Sequence, residues 1–166
     1  MRKKSYLFLA LLLPGLVFVF LKYAGSNQFD IPVLHEQGIV GLPGYCGQSP
    51  TVPYHLPDSI WEYLNGKRRS ANVIAFPDHA LTEAPGILNA VAREVGDNDV
   101  LLVDADLLQL DSASMVKLRT CIFAVQAPRQ TVLFDHEGRI RGYYDIRSRD
   151  EVDRLRVELK ILLKHY

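Results

Sequence analysis

The chain has 166 residues, which leaves room for one domain and an anchor rather than two full domains. An apolar fraction of 48% and a charged fraction of 23% are those of a globular protein and exclude disorder as the starting assumption. Nineteen basic and nineteen acidic side chains cancel. A dedicated nucleic-acid binder needs an excess of positive charge to displace counterions, so no nucleic-acid partner is expected. Two cysteines, Cys46 and Cys121, lie far apart in sequence and make neither a disulfide scaffold nor a zinc knuckle.

At the N-terminus Arg2, Lys3 and Lys4 precede an apolar run from Tyr6 to Leu21, broken only by Pro14-Gly15. A basic flank followed by an apolar core is the pattern of an export signal. Lys22 and Tyr23 suit a membrane boundary. The favoured expectation is an uncleaved signal anchor over residues 1–24, meeting the membrane through residues 5–22. The cationic end then stays in the cytoplasm and the rest lies on the exported, periplasmic side. A cleaved signal peptide, with Ala24-Gly25-Ser26 as an imperfect cleavage site, and a buried N-terminal helix are the alternatives.

Residues 25–65 read as an irregular lead-in rich in Pro, Gly and polar residues, with Ile31 to Leu34 as a candidate edge strand. At its end, Asp58 to Gly66 predicts a short helix capped by Asp58 or Ser59, with Trp61 and Leu64 at i, i+3 spacing and Gly66 as the stop. Lys67, Arg68 and Arg69 follow as a solvated connector.

The remaining elements form one domain over residues 66–166. Asn72 to Phe76 predicts a buried strand. Thr82 offers a helix cap, with Pro85 in the first turn and Ala84, Leu88, Val91 and Val95 on one face; Gly96 ends the helix. Val100 to Val103 is a continuous apolar run of the kind a central parallel strand has. Asp111 or Ser112 caps a further helix through Arg119, with Met115 and Leu118 inward. Thr131 to Phe134, the turn Asp135 to Gly138, and the alternating Arg139 to Tyr144 predict a β-hairpin, the second strand half-buried with Arg139 and Arg141 on one side. Asp150 to Tyr166 is an amphipathic helix whose buried face carries Val152, Leu155, Leu159 and Leu162.

The order is strand, helix, strand, helix, strand, strand, helix. The first pair requires a parallel crossover and the last is antiparallel. The expected fold is therefore α/β, a thioredoxin-like mixed sheet flanked by helices, preceded by one transmembrane or signal helix.

The segments GRIRGYYD (Gly138 to Asp145) and EVDRLRVELKILL (Glu151 to Leu163) closely resemble the C-terminal part of bacterial Sco/SenC proteins. These are membrane-anchored thioredoxin-fold proteins that help deliver copper to cytochrome c oxidase. The resemblance is strong over Thr131 to Leu163, weaker over Gly66 to Val95, and loose over Asn27 to Pro57. It implies a role in respiratory-oxidase maturation, with an oxidase subunit or an active Sco-like protein as partner. It also implies a site made of two cysteines at a helix start, where thiolate is favoured, and one distant histidine, a soft set of ligands for copper. Aligning Pro85 with the family's Cys-x-x-x-Cys-Pro motif places the cysteine positions on Ala80 and Ala84. Aligning Asp135 places the histidine position on Ala127. All three ligands are replaced by alanine, so neither copper nor any other cofactor is expected, and a non-catalytic binding or assembly role follows.

Other candidates for chemistry are few. Cys46 and Cys121 form a structural disulfide, stay as two thiols, or serve a redox or metal role; the redox option makes a thiol-disulfide oxidoreductase the alternative function. His79, between Asp78 and Ala80 with Glu83 nearby, is a candidate metal ligand, though a polar loop at a helix start is the favoured reading. His35, His55, His136 and His165 are scattered and read as exposed. Pro128 stands near the place where thioredoxin folds carry a cis-proline. Arg139, Arg141, Arg147, Arg149, Arg154 and Arg156 form either a docking face or, with Asp145, Asp150, Glu151 and Asp153, a salt-bridged solvent face. No Gly-rich phosphate loop, serine nucleophile motif or metalloprotease helix is present.

Overall fold

The computed structural model describes residues 12–22, 30–47, 52–64, 68–76, 84–96 and 99–165. The chain divides into two compact units, Met1–Asp30 and Ile31–Tyr166. In the first, residues 12–22 form helix α1, with the large apolar side chains from Leu12 to Leu21 exposed. No helix among the described residues is long and apolar enough to cross a membrane. Arg2, Lys3 and Lys4 lie outside them.

The second unit is built on four strands: β1 (Ala71–Ala75), β2 (Val100–Asp104), β3 (Thr131–Asp135) and β4 (Ile140–Tyr144). Their order is β2-β1-β3-β4, with β1 parallel to β2 and the other two pairings antiparallel. The connection from β1 to β2 carries helix α3 (Ala84–Val95), as a parallel pair demands. Every residue of β1, β3 and β4 is buried, because both faces of the sheet are covered.

One face packs on α3 and on helix α5 (Arg149–His165). Val73, Leu133 and Tyr144 from the sheet meet Leu88, Val91, Val152, Leu155, Leu159 and Leu162 there. The other face is covered by less regular chain. Ile74, Val132, Phe134, Ile140 and Tyr143 meet Tyr54, Leu56, helix α2 (Asp58–Tyr63) through Trp61, and Phe123. Phe123 contacts Phe76 and Phe134 at centroid distances of 5.4 and 5.6 Å. Ile31, Tyr54, Leu56 and Trp61 of the lead-in are thus part of the core. Ile31 to Leu34 forms no strand, although the Leu34 N–H donates to the Ile140 carbonyl at 2.8 Å.

Several expectations shift. β1 begins one residue early, at Ala71, and α5 begins at Arg149. The residue before α2 is Pro57, with no side-chain cap; the Asp58 carboxylate instead pairs with Arg68, whose guanidinium lies 5.2 Å from the Trp61 ring centroid. Arg68 makes these contacts while staying exposed, as does Arg69, in keeping with a solvated connector. The expected cap Thr82 and stop Gly66 lie outside the described residues. Asp111 does cap helix α4 (Ser112–Lys117), accepting from the Ser114 N–H at 3.1 Å. The chain then continues as a π-helical turn, Leu118–Ile122, which sequence periodicity did not foresee.

β2 is an edge strand, not the central one its apolar run implied. Beyond Val100 its residues are only half-buried, because a strand with one neighbour keeps one side open. β4 is fully buried rather than half-buried, and the cause is a register shift: Leu133 pairs with Gly142 and Phe134 with Ile140, which leaves Arg141 as the extra residue of a bulge. The bulge lets Ile140 and Tyr143 share one face while Tyr144 serves the other.

Gly142 has a definite task in this packing. A Cβ there would lie 2.7 Å from Cζ of Tyr144 and closer still to its hydroxyl. That ring cannot easily move, since its hydroxyl donates to Glu158 and the Arg154 guanidinium stands 4.7 Å from its centroid. Gly142→Ala is expected to lower stability by ~1–3 kcal/mol through overpacking. Denaturant unfolding of the variant measures this directly, and an unchanged midpoint would show that the ring yields.

Candidate functional site

The positions singled out in the sequence separate in the structure. His79 and Ala80 lie outside the described residues. Ala84 is the first residue of α3, and Ala127 is exposed in the loop before β3. The Ala127–Pro128 peptide bond is cis, as is Val52–Pro53. Alanine has no atom that ligates a metal, so Ala84 and Ala127 do not fit the family's copper site. Among the described residues no three His, Cys, Asp or Glu side chains gather as a metal-binding group.

Cys46 and Cys121 are bonded to each other, with Cα atoms 5.2 Å apart, inside the range a disulfide requires. Cys46 ends the short turn Gly44–Cys46, and Cys121 lies in the π-helical turn. The bridge therefore staples the lead-in to the segment that carries Phe123 into the core. Beside it the buried Tyr54 hydroxyl donates to the Ile122 carbonyl. Burial raises the Tyr54 pKa, so the group stays protonated and keeps that bond. No free cysteine remains to act as a nucleophile.

The most ordered polar constellation is one the sequence reading missed. The Asp135 carboxylate is fully buried at the end of β3 and organises the hairpin turn. Its Oδ1 accepts the backbone N–H groups of Glu137 (3.0 Å) and Arg139 (2.9 Å). Its Oδ2 accepts Nε of Arg139 (2.7 Å) and Nε of Arg141 (2.8 Å). Burial alone would raise the Asp135 pKa. The Arg139 backbone bond and the two guanidiniums outweigh it and hold the carboxyl below its usual range. Arg141 is only 5% exposed and also donates to the Ile31 carbonyl, tying the lead-in to the hairpin. The expectation that all six arginines face solvent fails at Arg141, because the bulge turns it inward. Most of the others do sit in surface pairs: Arg147 with Asp145, Arg154 with Glu151, and Arg156 with Asp153. Arg156 and Lys160 also reach Glu94 at 2.7 and 2.8 Å, joining α5 to α3. The signal for the buried clamp was present in the sequence as one acid and two arginines alternating within a hairpin.

A groove with a volume of about 470 Å³ runs along the outer edge of β4. Its floor is Arg141, Gly142 and Tyr143, one wall is the segment from Ile31 to His35, and Arg154 and Glu158 of α5 contribute to the lining. The Tyr143 carbonyl points outward and accepts from Arg154 at 2.6 Å. His35 is half-buried rather than exposed, with Nε2 3.0 Å from the Tyr143 hydroxyl. It adopts φ of +60°, a left-handed conformation that costs a non-glycine residue free energy. Its carbonyl accepts the N–H groups of Gly38 and Tyr54, which fixes that conformation. Burial lowers the His35 pKa and raises that of Tyr143, so both are neutral near pH 7.

Comparison with protein-family models, with curated proteins and with solved structures finds no match for the chain.

Proposed function

We propose that this chain is an exported, membrane-anchored protein with a thioredoxin-like domain similar to Sco/SenC factors, which works by binding during respiratory-oxidase assembly and not by copper or dithiol chemistry. The strand order β2-β1-β3-β4, with a helix after β1 and a terminal helix after the hairpin, supports the fold reading. The apolar run after Arg2, Lys3 and Lys4 supports the anchor. The partner in this reading is an oxidase subunit or an active Sco-like protein, and the link to that process is family resemblance.

The observation that carries the non-redox reading is the Cys46–Cys121 bond. It takes both thiols of the chain and joins two surface turns, with neither sulfur at the start of α3. The test uses the full chain in nonionic detergent. Alkylatable thiols are counted without reductant, and Cu(I) and Cu(II) are titrated into wild type and the Cys46→Ala and Cys121→Ala variants. The expected result is no alkylatable thiol in wild type and no stoichiometric copper site. Tight one-to-one copper binding that disappears in either variant would overturn the reading. Turnover of a disulfide substrate that depends on Cys46 or Cys121 would replace it with a thiol-disulfide oxidoreductase.

A further inference from the structure

We propose that the groove along the outer edge of β4 is a binding site for a small organic anion, whose carboxylate or phosphate head is held by Arg129 and Arg154 and whose apolar body lies on Ile31, Pro32 and Leu34. The inference does not rest on the reading of the chain as a Sco/SenC-like factor.

The first argument is shape. At about 470 Å³ the groove falls within the size range of small-molecule sites, and it is walled on more than one side by packed chain. β4 is an edge strand, but its edge is not open for another strand to add. The Ile140 carbonyl is taken by Leu34 and the Tyr143 carbonyl by Arg154. What remains is a concave space, which suits a compact ligand better than an extended peptide.

The second argument is charge. Three guanidiniums, from Arg129, Arg141 and Arg154, line the groove against the single carboxylate of Glu158. Arg141 is committed to Asp135, and Arg154 pairs with Glu151 and Glu158. Arg129 makes no ion pair among the described residues; it stands on the loop leading into β3 and lines the groove beside Tyr143. An unpaired guanidinium at a partly apolar cavity is a ready partner for a carboxylate or phosphate.

The third argument is preorganisation. The wall is locked before any ligand arrives: Arg141 holds the Ile31 carbonyl, Leu34 is bonded to Ile140, and His35 is fixed by its backbone and by Tyr143. Sites of this kind bind without first paying to order their own walls. With His35 and Tyr143 neutral and the guanidiniums of Arg141 and Arg154 paired, the group left for a ligand's head is the Arg129 guanidinium, which selects an anionic head over a cationic or neutral one.

The test titrates phenyl phosphate, inorganic phosphate and benzyl alcohol into the full chain in nonionic detergent, followed by calorimetry. Saturable one-to-one binding of phenyl phosphate is expected, with weaker binding of inorganic phosphate and none of benzyl alcohol. Arg129→Ala is expected to weaken phenyl phosphate by about tenfold or more, the scale of one charge-assisted bond, while Arg129→Lys retains part of the affinity. Arg129 is exposed, so its variants should unfold at the wild-type midpoint, which serves as the folding control. Absence of saturable binding in wild type, or equal affinity in Arg129→Ala, overturns the site. Equal affinity for inorganic phosphate overturns the assignment of an organic anion.

Discussion

Asp135→Ala is expected to destabilise the domain by ~3–5 kcal/mol, the usual scale for removing one partner of a buried ion pair. The carboxylate is fully buried and receives four bonds, two from turn backbone and two from guanidiniums. Without it the Arg141 guanidinium stays buried with its Asp135 carboxylate partner gone, while its bond to the Ile31 carbonyl remains. The Glu137 and Arg139 N–H groups lose their acceptor as well. Asp135→Asn should approach the same loss, because an amide keeps the shape but presents no charge to two guanidiniums. The pH dependence follows from the sign of the shift. The folded-state pKa of Asp135 lies below its unfolded value, so its contribution is complete above about pH 4 and is lost as the pH falls through the folded value. Glu94, Asp111 and Asp145 are shifted the same way. The acid slope of stability should therefore become shallower in Asp135→Asn without vanishing. Urea unfolding at neutral pH and between pH 5 and 2 measures both effects. A loss below about 1 kcal/mol at neutral pH would mean that the clamp adds little beyond the hairpin's own hydrogen bonds.

Removing the disulfide is the second large effect. The bond closes a loop with a sequence separation of 75 residues. The chain-entropy relation gives ~4.5 kcal/mol as the upper estimate for a loop of that length. The double variant Cys46→Ser/Cys121→Ser should lose up to that amount, and the wild type with reductant should lose the same. Reductant should leave the double variant unchanged. Much of the loss is expected to act on one face of the sheet, because Cys121 immediately precedes Ile122 and Phe123, the residues that dock the turn on Tyr54, Phe76 and Phe134. The opposite face, where α3 and α5 pack, contains neither cysteine. A drop under about 1 kcal/mol on reduction would show that this packing alone holds the lead-in.

The groove and the clamp share Arg141, and this places a limit on how the binding site can be probed. Arg141 and Asp135 support the hairpin itself, so their variants confound folding with binding. Arg129 stands on the rim and carries no such load, which is why the ligand test rests on it.

The sequence by itself determined the elements and their order. The strands at Thr131 and Ile140, the turn with Gly138 at φ of +81°, the helix after Ala84 and the α5 stripe of Val152, Leu155, Leu159 and Leu162 all follow from local periodicity and turn chemistry. These signals act within a few residues, so a single chain displays them. The tertiary structure alone decided which strand is outermost, which arginine is buried, and which residues meet. β2 has the apolar composition of a central strand, yet it has only one neighbour, because neighbours are set by chain crossings rather than by composition. A one-residue bulge turned Arg141 from the solvent to Asp135, and contacts 108 residues apart brought His35 to Tyr143. Local pattern fixes how each residue faces its own strand or helix. The groove and the cysteine pairing depend on how distant segments pack, and no short-range signal carries that.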